Sequence, residues 1–166
     1  CDVNVLFDHL NSNHMTSFLY FLSNVVWVET GDNEFPIRLF YLNKVMHSLD
    51  LFYSVKMPDI FLFVHPVGTV LGNASYGDYL VVYQNCTVGT SDTTYPKFGT
   101  GTILYSKSSV IGDCNISDNV VFAANSSILN VNVPKNTLVI GQYPNQYFKD
   151  NTKTVEQRCF NDLICS

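Results

Sequence analysis

Histidine can take a proton from an alcohol near neutral pH because its ordinary pKa, about 6.5, matches that task. This sequence holds four: His9, His14, His47 and His65. The first three lie in a polar N-terminal stretch or on a helical segment and read as structural or solvated groups. His65 stands directly before Pro66. A histidine there is either a turn residue making one backbone hydrogen bond or a general base. The second role needs a carboxylate on the far ring nitrogen, to fix the tautomer and stabilise the imidazolium as it forms. The five cysteines, Cys1, Cys86, Cys114, Cys159 and Cys165, show no C-x-x-C spacing, so neighbours in sequence build neither a zinc knuckle nor a dithiol redox pair. Their odd number argues against a disulfide framework and for a reducing cytoplasm.

The chain that must position His65 has 166 residues, 46% hydrophobic, 14% aromatic and only 14% charged. That composition folds as one domain and excludes disorder. A net charge of -5 with nine Lys and Arg leaves nothing to neutralise a nucleic-acid backbone. The apolar run Phe18 to Val28 is too short to span a bilayer. Charged residues are well below the roughly 25% of an ordinary soluble domain, so other groups must cover the outside.

Residues 1–57 read as a helical segment. Ile37, Phe40, Tyr41, Val45 and Leu49 recur at intervals of three and four behind Pro36, which suits a first helical turn. Phe18, Leu19, Leu22, Val25 and Val26 form a second such stripe; plain core packing is the expected use of both. From about residue 58 to 149 the period becomes six. Large apolar residues fall at Val64, Val70, Tyr76, Val82 and Val88, and again at Phe98, Leu104, Val110, Ile116, Phe122 and Ile128, a step that continues to Pro134 and Ile140. Smaller residues follow four positions on, at Thr102, Ser108, Cys114 and Ser126. This period predicts a mainly β fold, a left-handed parallel β-helix of about four coils, with a tail at 150–166. The register slips between Val88 and Phe98, so Thr90 to Pro96 leaves the coil as a loop.

The segment His65, Gly68, Val70, Gly72, followed by Thr87, Val88, Gly89, resembles the hexapeptide-repeat acyltransferases, and within them the serine acetyltransferase branch. Pro134 through Gly141 to Pro144 is similar to that family's exit from the helix. The resemblance implies a transfer of an acetyl group from acetyl-CoA to a hydroxyl, with His65 as base and Asp50, fifteen residues earlier, orienting it. It implies that the pantetheine arm passes Ala123, Ala124 and Ser126, and that Lys149 or Lys135 meets a CoA phosphate. The loop residues Asp92, Thr94 and Tyr95 are expected at the acceptor. The branch carries an Arg-His pair where this chain has Thr94 and Tyr95, and an Asp where it has Val64. Those groups hold an amino acid's charges, so a sugar hydroxyl competes with L-serine as acceptor. The β-helical carbonic anhydrases use three histidines for zinc, and the coils here supply His65 alone, so no metal is expected. The resemblance also implies a homotrimer, or a hexamer, with the site between neighbouring solenoids. A catalytically inactive scaffold or binding module is the alternative.

Overall fold

The computed structural model describes residues 6–160. Helix α1 (Ser12–Thr30) starts where the Asn11 side chain accepts from the Asn13 and His14 amides, and stops at Gly31, whose φ of 69° a residue without Cβ adopts at no cost. Helix α2 (Glu34–His47) has Pro36 in its first turn and ends at Ser48, with Lys44 and His47 in its last turn, where positive charge suits the helix dipole. The helical segment therefore ends before Asp50.

The expected stripes are buried only in part, at Leu19 and Leu49. On α2 the inner residues are Pro36, Leu39 and Asn43, while Ile37, Tyr41 and Val45 are 47%, 65% and 65% exposed. On α1 the inner residues are Thr16, Leu19, Tyr20 and Ser23, and Phe18 and Val25 face out. Small and polar residues let the helices approach closely, and Asn43 Nδ2 donates to the Thr16 carbonyl at 3.0 Å. Tyr20 ties α1 to the segment that leads into the β region: its hydroxyl donates to Val55 O at 2.8 Å and accepts from the Met57 amide at 3.0 Å.

The remainder of the chain is a parallel β-solenoid with three walls. The first wall stacks β1 (Asp50–Leu51), β3 (Val70–Leu71), β5 (Thr87–Gly89), β8 (Ser109–Ile111) and β11 (Ser127–Leu129). The second stacks β2 (Phe61–Val64), β4 (Leu80–Tyr83), β7 (Thr102–Leu104), β10 (Val120–Phe122) and β12 (Thr137–Ile140). The third has β6 (Lys97–Phe98) paired with β9 (Asn115–Ile116), extended by bridges at Ser75 and Val133. This gives about five turns, one more than the repeat predicts, because β1 already forms a rung.

Each wall sends one column inward. Leu51, Leu71, Val88, Val110 and Ile128 stand in register on the first, and Phe63, Val82, Leu104, Phe122 and Val139 on the second. Tyr76, Phe98, Ile116 and Val133 fill the third side, with the Tyr76 and Phe98 rings stacked at 5.4 Å. The period of six holds from Tyr76 to Ile128, the loop set aside, and slips at both ends. Phe63 and Leu71 point inward instead of Val64 and Val70, and Val133 and Val139 replace Pro134 and Ile140. The cause is that rungs stack by hydrogen-bond register, which absorbs a residue gained or lost at a corner.

Corners are turned by residues with positive φ, among them Asn85, Asn119, Asn125, Asn130 and Asn136, a conformation asparagine tolerates. Ser126 and Ser108 are buried beside these corners, and each hydroxyl is spent on a carbonyl: Ser126 Oγ on Ala123 O at 2.7 Å, Ser108 Oγ on Tyr105 O. Cys86 and Cys114 are buried and unbridged, and burial pushes both thiols up; Cys1 and Cys165 lie outside the described residues. After β12 the chain reverses into β13 (Tyr147–Asp150), which pairs antiparallel with it. A last helix, α3 (Val155–Cys159), then lays Val155, with Phe160, on the outside of the second wall against Val81, Ile103 and Val121. Among the described residues no helix is long and apolar enough to cross a membrane.

Phe122→Ala should cost about 3–5 kcal/mol, read from the denaturant midpoint, because its neighbours above and below cannot close the void. A second expectation concerns His47, which burial holds below its ordinary pKa while its Nδ1 contacts Asn43 Oδ1 at 2.8 Å. The unfolded chain then binds the proton more readily than the folded one. Stability is full above about pH 6.5 and falls as pH drops from there. Melting temperature against pH should show this slope, and His47→Gln should flatten it.

Candidate active site

His65 ends β2 at the corner between the second and first walls, with φ 49° and an exposed side chain. Val64 before it faces the outside of the second wall, so the turn to the exposed His65 is made by the positive φ and Pro66. The corner is pinned from three sides. Val67 N donates to His65 O at 2.7 Å, Gly68 N to Ser48 O at 2.9 Å, and Asn85 N to Val67 O at 2.9 Å. Gly68 has φ 74°, and an added Cβ there would lie 2.4 Å from Asn85 Oδ1, so both the turn and the close approach require glycine.

Asp50 lies on the rung beneath. Its amide donates to Thr69 O at 2.9 Å and it stands in register with Val70. The ladder thus sets Asp50 opposite Val70, five residues beyond His65. The Asp50 carboxylate takes Lys44 Nζ at 2.6 Å. His65 uses its backbone N–H on Asn13 Oδ1 at 3.0 Å. Among the described residues no hydrogen bond joins the His65 and Asp50 side chains. Lys44 and Asn13, both from the helical hairpin, are the neighbours that repeat reasoning misses. Neither is in the repeat, and only the docking of α1 and α2 brings them to this corner.

The loop residues sit elsewhere on the solenoid. Thr90 to Pro96 leaves the solenoid at the next corner, between the first and third walls, after β5 and before β6. Asp92 and Thr94 are exposed and line an open groove of about 390 Å³ with Ser91, Asp113, Asn130 and Asn132. Ser91 Oγ donates to Asn130 Oδ1 at 3.1 Å, holding the loop to the upper rungs. Tyr95 is half-buried and packs on the core; an added Cβ at Gly72 would lie 2.7 Å from its Cε1 and 2.8 Å from Val88 O. One solenoid therefore separates His65 from Asp92, Thr94 and Tyr95 by a full wall.

The residues expected along CoA are spread over the upper coils. Ala124 is exposed at the corner, while the Ala123 amide donates to Val139 O at 2.9 Å. Ser126 is buried. Lys149 is exposed on β13 with its Nζ 5.7 Å from the Tyr147 ring, and Lys135 is exposed before β12.

No protein-family model matches the chain. Its sequence is 26% identical over 111 residues to a serine acetyltransferase of Synechococcus elongatus, covering 64% of this chain and 45% of that one. It is 27% identical over 105 residues to a serine acetyltransferase of Staphylococcus epidermidis, covering 60% and 49%. The chain thus spans about half the length of these relatives. The crystal structure of a serine acetyltransferase from Vibrio cholerae shares the fold, with a TM-score of 0.74 at 19% identity over 86% of this chain and 56% of that one.

Asn13→Ala removes the acceptor that holds the His65 amide. Hydrogen exchange at that amide should speed up by about tenfold, the equivalent of one lost hydrogen bond, while amides of β7 and β10 keep their protection. Unchanged exchange at His65 would show that the corner does not depend on α1.

Proposed function

We propose that this hexapeptide-repeat chain, similar to serine acetyltransferases in sequence and fold, moves an acetyl group from acetyl-CoA to an acceptor hydroxyl. The observation that carries the reading is the exposed His65 on a corner pinned by neighbouring rungs, with Asp50 in the strand opposite Val70. His65 acts as general base. Its imidazole takes the hydroxyl proton as the acceptor oxygen attacks the thioester carbonyl, and returns it to the sulfur as the C–S bond breaks. The ester and free CoA thiol are the products, with no covalent enzyme intermediate. Asp50 turns its carboxylate to the imidazole and stabilises the imidazolium, with Lys44 anchoring its other side. Acetyl-CoA supplies the activated acyl group; Ala124, Ala123 and, for the phosphates, Lys149 or Lys135 flank its path.

L-serine is the first acceptor to test, since the relatives are named for it. A sugar hydroxyl is the second, supported by Val64, Thr94 and Tyr95 standing where that branch carries charged groups. Because Tyr95 and its loop lie at a different corner from His65, they shape the acceptor site only from a neighbouring protomer, which favours a trimer with sites between solenoids. The exposed stripe of Ile37, Tyr41 and Val45 supplies apolar area for such an assembly or for a hexamer. Buried, unbridged thiols suit a cytoplasmic location.

A thiol-release assay with acetyl-CoA, L-serine and a panel of sugars tests this. His65→Ala should lower kcat by about 10²-fold or more with an unchanged unfolding midpoint, and Asp50→Asn should lower it less. Absence of release with every acceptor, together with no CoA binding by calorimetry, would turn the reading to an inactive scaffold.

A further inference from the structure

An apolar groove of about 390 Å³ runs between α1 and β2, and one of its lining residues, Asn13, holds the His65 amide. Its walls are the rings of Phe7, Phe18, Phe21 and Phe61, with Asn13 and His14 at one side. Phe7 and Phe18 lie 5.5 Å apart between centroids, and Phe21 and Phe61 5.3 Å. Among the described residues no Asp, Glu, Lys or Arg lines it. Asn13 belongs to both places, lining the groove while its Oδ1 accepts the His65 amide at 3.0 Å. His14 Nδ1 accepts from the Asp8 amide at 3.2 Å, which leaves the ring's hydrogen on Nε2.

A free amino acid brings two charges, and a groove of phenylalanine rings returns nothing for their lost hydration. A flat ring or alkyl chain gains both burial and offset stacking there. The volume lies within the range of small-molecule sites. We infer that the acceptor is an alcohol carrying an apolar ring or alkyl group, whose hydroxyl reaches His65 while that group lies in the groove. The inference rests on the acetyl-transfer reading for the hydroxyl end only; the groove's affinity for the apolar end is independent of it.

Two acceptor pairs, each differing only in the appendage, test it: methyl and phenyl β-glucoside, and L-serinamide and its N-benzyl derivative. The ring-bearing member should show at least about tenfold higher kcat/KM. Saturation-transfer NMR should detect phenyl β-glucoside on the protein without acetyl-CoA. Phe18→Ala and Phe21→Ala, at half-exposed positions, should abolish both the preference and the NMR signal. Val28→Ala, at the far end of α1, should alter neither. Equal turnover within each pair, a preference that survives both Phe variants, or a concentration-dependent dimer that Phe18→Ala dissociates with no ring binding would overturn the inference. Ring binding that needs Phe18 and Phe21 without acetyl transfer to any acceptor would uphold the groove and reject the transfer reading.

Discussion

Every inward side chain in this solenoid rests on the one a rung below, and that stacking constrains all the other features of the molecule. A parallel ladder fixes the register of each strand on its neighbour, so the column Phe63, Val82, Leu104, Phe122 and Val139 must be apolar at every level. Backbone groups in the walls are consumed by the same ladder. Chemistry is therefore pushed to the corners, where a side chain such as His65 stands free on a backbone pinned from neighbouring rungs. Rigidity there comes from the coil, and variety comes from what docks on it.

The helical hairpin is what docks at the first corner. Asn13 and Lys44 reach His65 and Asp50 because Tyr20 bridges Val55 and Met57 and so fixes α1 against the lowest rung. The proposed acetyl transfer would thus depend on a contact between two parts of the chain with different periodicities. The aromatic groove lies along the same junction, between a helix and an edge strand.

This division explains which features are legible in the sequence. Columns within the solenoid repeat, so Phe98 to Ile128 are readable as inward positions, and the slip before Phe98 as an excursion. At the ends the repeat fails by one residue, since a corner can gain or lose a residue without disturbing the ladder. The helix faces match expectation only in part, for a different reason. Periodicity shows that a face is apolar but not what covers it, and here Leu39 and Asn43 pack inward while Ile37, Tyr41 and Val45 remain uncovered. The fifteen-residue spacing from Asp50 to His65 is legible in the sequence, although in the structure the Asp50 carboxylate pairs with Lys44. Their partners Asn13 and Lys44 are not, because docking between unlike elements leaves no period in the chain. The scarcity of charge has its account in the corners, where asparagines with positive φ carry the polarity that Lys and Glu carry elsewhere.

The reversal at β13 also limits the molecule's growth. A parallel coil ends in an open row of amide and carbonyl groups, a template on which another copy's first rung could add without end. The antiparallel β13, carrying Lys149 in its middle and exposed along its length, occupies that row on the second wall with a strand of the wrong direction. At the opposite end, α1 lies against the edge strand β2. Two dissimilar elements thus cover the two ends of the second wall, an antiparallel strand at one and a helix at the other.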